Sequence, residues 1–140
     1  MLVKHIMTEQ FEVVQRTKHL REAVELMLGN DVDHVLVIEE NAPVSMLTRR
    51  KALTACYKTD APLSEIPISG FSRGLETRVG PNESALICVG KLRRAKVDCL
   101  PVVDGMSVEG VITNDDILDN LSNITEEMLE NEKRREEWTG

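Results

Sequence analysis

Aromatic residues are nearly absent: one Trp, one Tyr and two Phe make up 3% of the 140 residues. Val, Ile, Leu, Ala and Met must therefore fill the interior. Cysteine is scarce. Cys56, Cys88 and Cys99 are odd in number and show no CxxC spacing, which speaks against both a disulfide framework and a structural zinc site. The only histidines are His5, His19 and His34, none in an HExxH or HxH arrangement, so no transition-metal site is expected. No stretch nears the roughly 20 apolar residues of a membrane span. The start, Met1-Leu2-Val3-Lys4-His5, lacks the basic segment and apolar run of a signal peptide, and a cytoplasmic location is expected. Positive charge is in deficit: 17 Lys and Arg stand against 24 Asp and Glu, a formal net charge of −7. That balance makes nucleic acid and anionic membrane poor partners, while still permitting a local basic patch.

What the sequence does contain is a repeat. Shifting the chain by 65 residues aligns Val14–Leu53 with Val79–Leu118 without a gap. Val14, Val24, Val32, Asp33, Val37, Thr48 and Leu53 meet Val79, Val89, Val97, Asp98, Val102, Thr113 and Leu118, and apolar pairs such as Met27 with Leu92 and Leu47 with Ile112 hold the register.

Each copy reads in one order. Leu20, Ala23, Val24 and Met27 recur at helical spacing, as do Ala85, Cys88, Val89 and Leu92, and each set predicts a helix, ending near Gly29-Asn30 or Lys96. The short apolar runs Val35–Ile38 and Leu100–Val103 read as buried strands. Turn-prone residues then lead to second strands at Val44–Leu47 and Val108–Ile112. Second helices, Arg49–Tyr57 and Asn114–Leu121, each follow a threonine placed to cap them. With short leading strands at Glu12–Val14 and Thr77–Val79, the unit is strand, helix, strand, strand, helix. This predicts an α/β fold of α+β type, in which a unit of about 60 residues gains most by burying its sheet against its twin. The expected organisation is a first repeat over 1–58, a second over 59–121 and a charged helical tail over 122–140. Ser69-Gly70-Phe71-Ser72-Arg73-Gly74 reads as a flexible insertion that lengthens the second leading segment by five residues.

This order, the spacing and the phrase Gly110-Val111-Ile112-Thr113-Asn114-Asp115-Asp116-Ile117-Leu118 resemble the cystathionine-β-synthase (CBS) domain in its tandem form, the Bateman module. Val3–Thr8 looks like that family's opening segment and Leu100–Asp104 like its central strand. The resemblance covers residues 1–121. It implies two copies paired through their sheets about a pseudo-twofold axis, with two clefts that in many relatives bind adenine nucleotides or S-adenosylmethionine. It also implies a homodimer and a regulated partner protein. The roughly 20 residues after Leu121 are too few for a catalytic unit, so a stand-alone module is expected.

Thr113-x-x-Asp116 falls where a strand turns into a helix. A Thr hydroxyl and a carboxylate three residues on suit the vicinal hydroxyls of a ribose, and the same spacing is a capping box. By resemblance, the Thr113/Asp116 cleft is completed by Met7, Thr8, Gln10 and Asp33-His34-Val35 from the other copy, with adenine against Val111 and Ile112 and with Asn114 beside it. The equivalent motif in the first copy is Thr48-Arg49-Arg50-Lys51, where Lys51 replaces the carboxylate and only donates. Thr48, Arg49, Arg50 and Lys51, with Asp98 and Cys99, are thus candidates for an altered second cleft or for phosphate contacts. No required cofactor is implied; the regulatory ligand expected is AMP, ADP, ATP or S-adenosylmethionine. The competing reading is a ligand-independent oligomeric scaffold. No base, nucleophile and oxyanion donor form a catalytic set.

Overall fold

The computed structural model describes residues 1–72 and 77–139. The chain runs α1 (Val3–Ile6), β1 (Val13–Gln15), α2 (Leu20–Gly29), β2 (His34–Glu39), β3 (Ala42–Thr48), α3 (Arg49–Thr59), α4 (Ala85–Ala95), β4 (Cys99–Asp104), β5 (Ser107–Thr113), α5 (Asn114–Asp119) and α6 (Leu121–Thr139), with 3-10 turns at Leu63–Glu65 and Ile68–Gly70. β1 pairs parallel with β2, and β2 antiparallel with β3. In the second copy β4 pairs with β5, and the leading strand shrinks to one parallel bridge, Val79 to Val102. Both hairpins bulge at the same repeat position, between Val37 and Ile38 and between Val102 and Val103.

Three apolar clusters follow from strand alternation. One joins α2 and α3 to the first sheet through Leu20, Met27, Val35, Val37, Leu47 and Ala55. A second does the same for the other copy through Cys88, Leu92, Leu100, Val102 and Ile112. The residues pointing the opposite way, Leu36, Met46, Cys99 and Val111, form a small cluster shared by the two sheets.

The leading segments are crossed. Val3 and Ile6 are buried in the second copy's cluster, while Ile66 and Ile68 are buried in the first copy's. Their backbone bonds keep the 65-residue register: Val3 N–H donates to the Glu83 carbonyl at 2.9 Å, as Ile68 N–H does to Lys18 at 3.0 Å. Ala85 N–H donates to Met1 and Leu20 N–H to Ile66 in the same way. This corrects the reading of Ser69–Gly74 as an insertion. Ile68–Gly70 occupies the place of Val3–Ile6, and the described part of the segment is a packed arm; Arg73 and Gly74 lie outside the described residues.

α6 is longer than the tail pattern suggests, starting at Leu121 directly after the Asn120 break. Ile124 plugs it into the second cluster, and the Met1 ammonium pairs with Glu127 at 2.5 Å.

Candidate functional site

Both strand-to-helix corners are capped by their threonines. Thr48 Oγ1 accepts from Lys51 N–H at 3.2 Å, and Thr113 Oγ1 accepts from Asp116 N–H at 3.1 Å. Only the second corner closes a full capping box, since the Asp116 carboxylate accepts from Thr113 N–H at 3.0 Å. In the first, Lys51 sends its ammonium back to the Met46 carbonyl at 2.8 Å. A carboxylate accepts from its own helix start; an ammonium cannot, so it finds a carbonyl.

The repeated aspartates serve the same corners. Asp33 takes Arg49 Nε at 2.7 Å and Asp98 takes Asn114 Nδ2 at 2.9 Å, each tying the start of a central strand to the first residue of a helix. The cations at the start of α3 oppose the helix dipole. Arg49 is compensated within the chain by Asp33 and, at 3.8 Å, by Asp31, whereas no ion pair involves Arg50 among the described residues.

Asp116 is held from the far end of the chain. Thr8 Oγ1 donates to its two carboxylate oxygens at 3.0 and 3.1 Å. Thr8 and Val111 also exchange backbone bonds of 2.8 and 2.9 Å. This approach requires glycine next door: a Cβ on Gly110 would stand 2.7 Å from the Thr8 carbonyl oxygen and 3.1 Å from Met7 Sδ.

A cleft of about 1650 Å³ opens between the copies and reaches both helix corners. Its walls include Asp33, His34, Thr48, Arg49, Arg50, Lys51, Asp98, Cys99, Thr113 and Asn114 of the expected residues. Thr8 and Asp116 are not among the lining residues, because Thr8 covers the carboxylate. Of the others, Val35 and Ile112 belong to the two helix-facing cores, Val111 to the cluster between the sheets, and Gln10 is exposed. Val111 and Ile112 therefore offer no open apolar face as the structure stands. Sequence reasoning missed Lys58, Lys91, Arg94 and Lys96, which line the same cleft. The four-residue spacing of Arg50, Thr54 and Lys58 along α3 was the available signal.

His34 opens β2 opposite Thr48. Burial lowers its pKa, against the opposing pull of Asp33 and Asp116. Burial also pushes Cys88 up to about 11 and raises Cys99, the carboxylates nearby adding to both, so neither thiol is poised as a nucleophile. Among the described residues no cluster of three or more His, Cys, Asp or Glu is arranged for a metal, and no helix is long and apolar enough to cross a membrane.

Two α+β units with crossed arms, paired through their sheets and sharing one cleft, define a pseudo-twofold tandem-repeat module. A family model described as CBS domain matches residues 3–58 and 77–123. The chain belongs to the CBS-domain family, as a tandem pair. A putative acetoin utilization protein (AcuB) from Vibrio cholerae is similar in structure, with a TM-score of 0.76, 26% identity, and coverage of 93% of this chain and 96% of that one. The CBS domain pair of protein MJ0100, solved in complex with 5′-methylthioadenosine and S-adenosyl-L-methionine, has a TM-score of 0.77 at 19% identity, covering 86% of this chain and 99% of that one. A homoserine O-acetyltransferase from Methanocorpusculum labreanum is 26% identical over 117 residues, which are 82% of this chain and 23% of that protein. The chain thus spans under a quarter of that relative's length.

Proposed function

We propose that this chain is a regulatory binding module: an adenosine-containing ligand enters the cleft, bonds its ribose to the Thr113/Asp116 corner and changes the affinity for a partner protein. The observation that carries this reading is the hydrogen bonding of Asp116. Its carboxylate is occupied by one fixed backbone donor and by the hydroxyl of Thr8. A ribose diol offers the same kind of donor as that threonine, so exchange leaves the half-buried carboxylate with its acceptors paired. That the MJ0100 pair is described with methylthioadenosine and S-adenosylmethionine supports the adenosine class.

Transmission follows from the crossed arms. The segment released when Thr8 gives up Asp116 is the one whose amino terminus pairs with Glu127 on α6. A ligand that binds one arrangement of this segment more tightly shifts the population of that arrangement. The reading includes no catalysis; the module acts by selective binding. A melting scan with AMP, ADP, ATP, NADH and S-adenosylmethionine tests it. A ligand at a hundred times its Kd stabilises by about 2.7 kcal/mol. An adenosine compound should raise the melting temperature, and no shift from any of them at millimolar concentration contradicts the proposal.

The second reading, an oligomeric scaffold, is favoured by apolar side chains at matching repeat positions. Leu53 and Leu118 are 71% and 63% exposed, beside exposed Tyr57 on α3 and Leu121 on α6. A self-associating surface there fits the expected homodimer. Partner capture indifferent to every nucleotide supports the scaffold over the sensor.

A further inference from the structure

Glycine is among the poorest residues for the interior of a helix, and one placed there needs a reason. Gly90 sits in the middle of α4. Nothing inside the chain supplies the reason: the nearest atom that a Cβ there would meet is in the Arg94 guanidinium, at an ordinary 3.7 Å. The gap faces outward. A hollow of about 400 Å³ lies over Gly90, Arg93 and Arg94, and of these only Arg94 also lines the large cleft. Ile87, one turn earlier on the same helix, is 49% exposed.

The matching helix of the first copy is built the other way. The 65-residue register sets Glu25 against Gly90, Leu28 against Arg93 and Asp31 against Lys96. Leu28 is 75% exposed, so α2 presents an apolar side chain where α4 has a hollow. Charge inverts as well. Acids exceed bases by two over residues 18–33, and bases exceed acids by two over residues 83–98. Among the described residues Arg93, Arg94 and Lys96 make no ion pair, while Glu25 pairs with Arg21 at 2.9 Å and the exposed Asp31 reaches Arg49 only at 3.8 Å.

We infer that α4 is a docking surface for α2 of a second copy of this chain, with Leu28 filling the hollow over Gly90 and with Glu25 and Asp31 against Arg93, Arg94 and Lys96. The two helices hold equivalent places in the repeats, so a twofold that lays α2 on the partner's α4 also lays α4 on the partner's α2 and closes the pair. The pairing is therefore head to tail. Head to head sets cations against cations at one contact and acids against acids at the other, and like charges oppose it. The family resemblance implies that a pair forms; the hollow and the charges say which helices meet.

Sedimentation equilibrium on the full chain, without nucleotide, tests this. The wild type should dimerise, less tightly as salt rises. Gly90→Leu closes the hollow with a better helix former, so at dilutions where the chain is monomeric it should melt no lower, yet its dimer should weaken about tenfold. R93E/R94E should weaken the dimer likewise, and E25K/D31K added to the same chain should restore it, because opposite charges then face each other again. Lysine fits at 31, since Lys96 holds the equivalent left-handed place with φ 55°. A dimer that R93E/R94E leaves unchanged, that R93Q/R94Q tightens, or that E25K/D31K fails to restore overturns the inference. So does a dimer insensitive to all these changes but lost in L53S/L118S, which places it on α3 and α5, and so does a chain that stays monomeric.

Discussion

Gly110 is the residue on which the site's geometry turns. Its missing side chain lets the Thr8 backbone lie on β5, and the contact it would otherwise make is with a carbonyl oxygen 2.7 Å away. Gly110→Ala should therefore cost about 1–3 kcal/mol, the usual range for overpacking. Chemical denaturation measures it; a variant as stable as the wild type contradicts the close approach. Asp33 and Asp98 teach a different lesson. They stand out in the sequence because they repeat, and their observed work is at the corners, tying strand starts to helix starts.

Among the elements, α6 is the one that the repeat does not explain. Its polar length hides a structural anchor, Ile124, buried to 3% exposure, and an ion pair of Glu127 with the amino terminus. Ile124→Ala should destabilise by about 2–5 kcal/mol, as buried large-to-small changes do. Truncation after Leu129, beyond which the described side chains are exposed, should change the melting temperature little. Equal effects of the two changes contradict this division of the helix. The strands, the first helices and both threonine caps were legible because each is a local pattern: apolar period, turn residues, a cap. The crossed arms were not, because no local pattern says which core Val3 or Ile68 enters. The position of Ile68–Gly70 was obscured by two glycines and two serines between residues 69 and 74, which read as a linker. Of the site, the Thr113/Asp116 corner was legible from spacing. The Thr8 contact spans 108 residues and was placed beside that corner only by family resemblance. The cations of α3 and α4 converge only in three dimensions.

The whole molecule is two units that share their arms, one core each completed by the other's leading segment. Such a pair moves as a linked object: whatever alters Thr8 at the corner acts on a segment fixed at its other end to α6. The repeat is symmetric in fold and asymmetric in charge, with an acidic corner closed by Thr8 and a basic corner facing an open cleft. The central claim is that ligand and Thr8 compete for one carboxylate. ATP titration of three forms of the full chain tests it most directly: wild type, Thr8→Val and Asp116→Ala. The account predicts that Thr8→Val melts lower without ligand yet binds more tightly than wild type, because the carboxylate is already free, and that Asp116→Ala binds about tenfold or more weakly. Equal affinity in all three forms contradicts it.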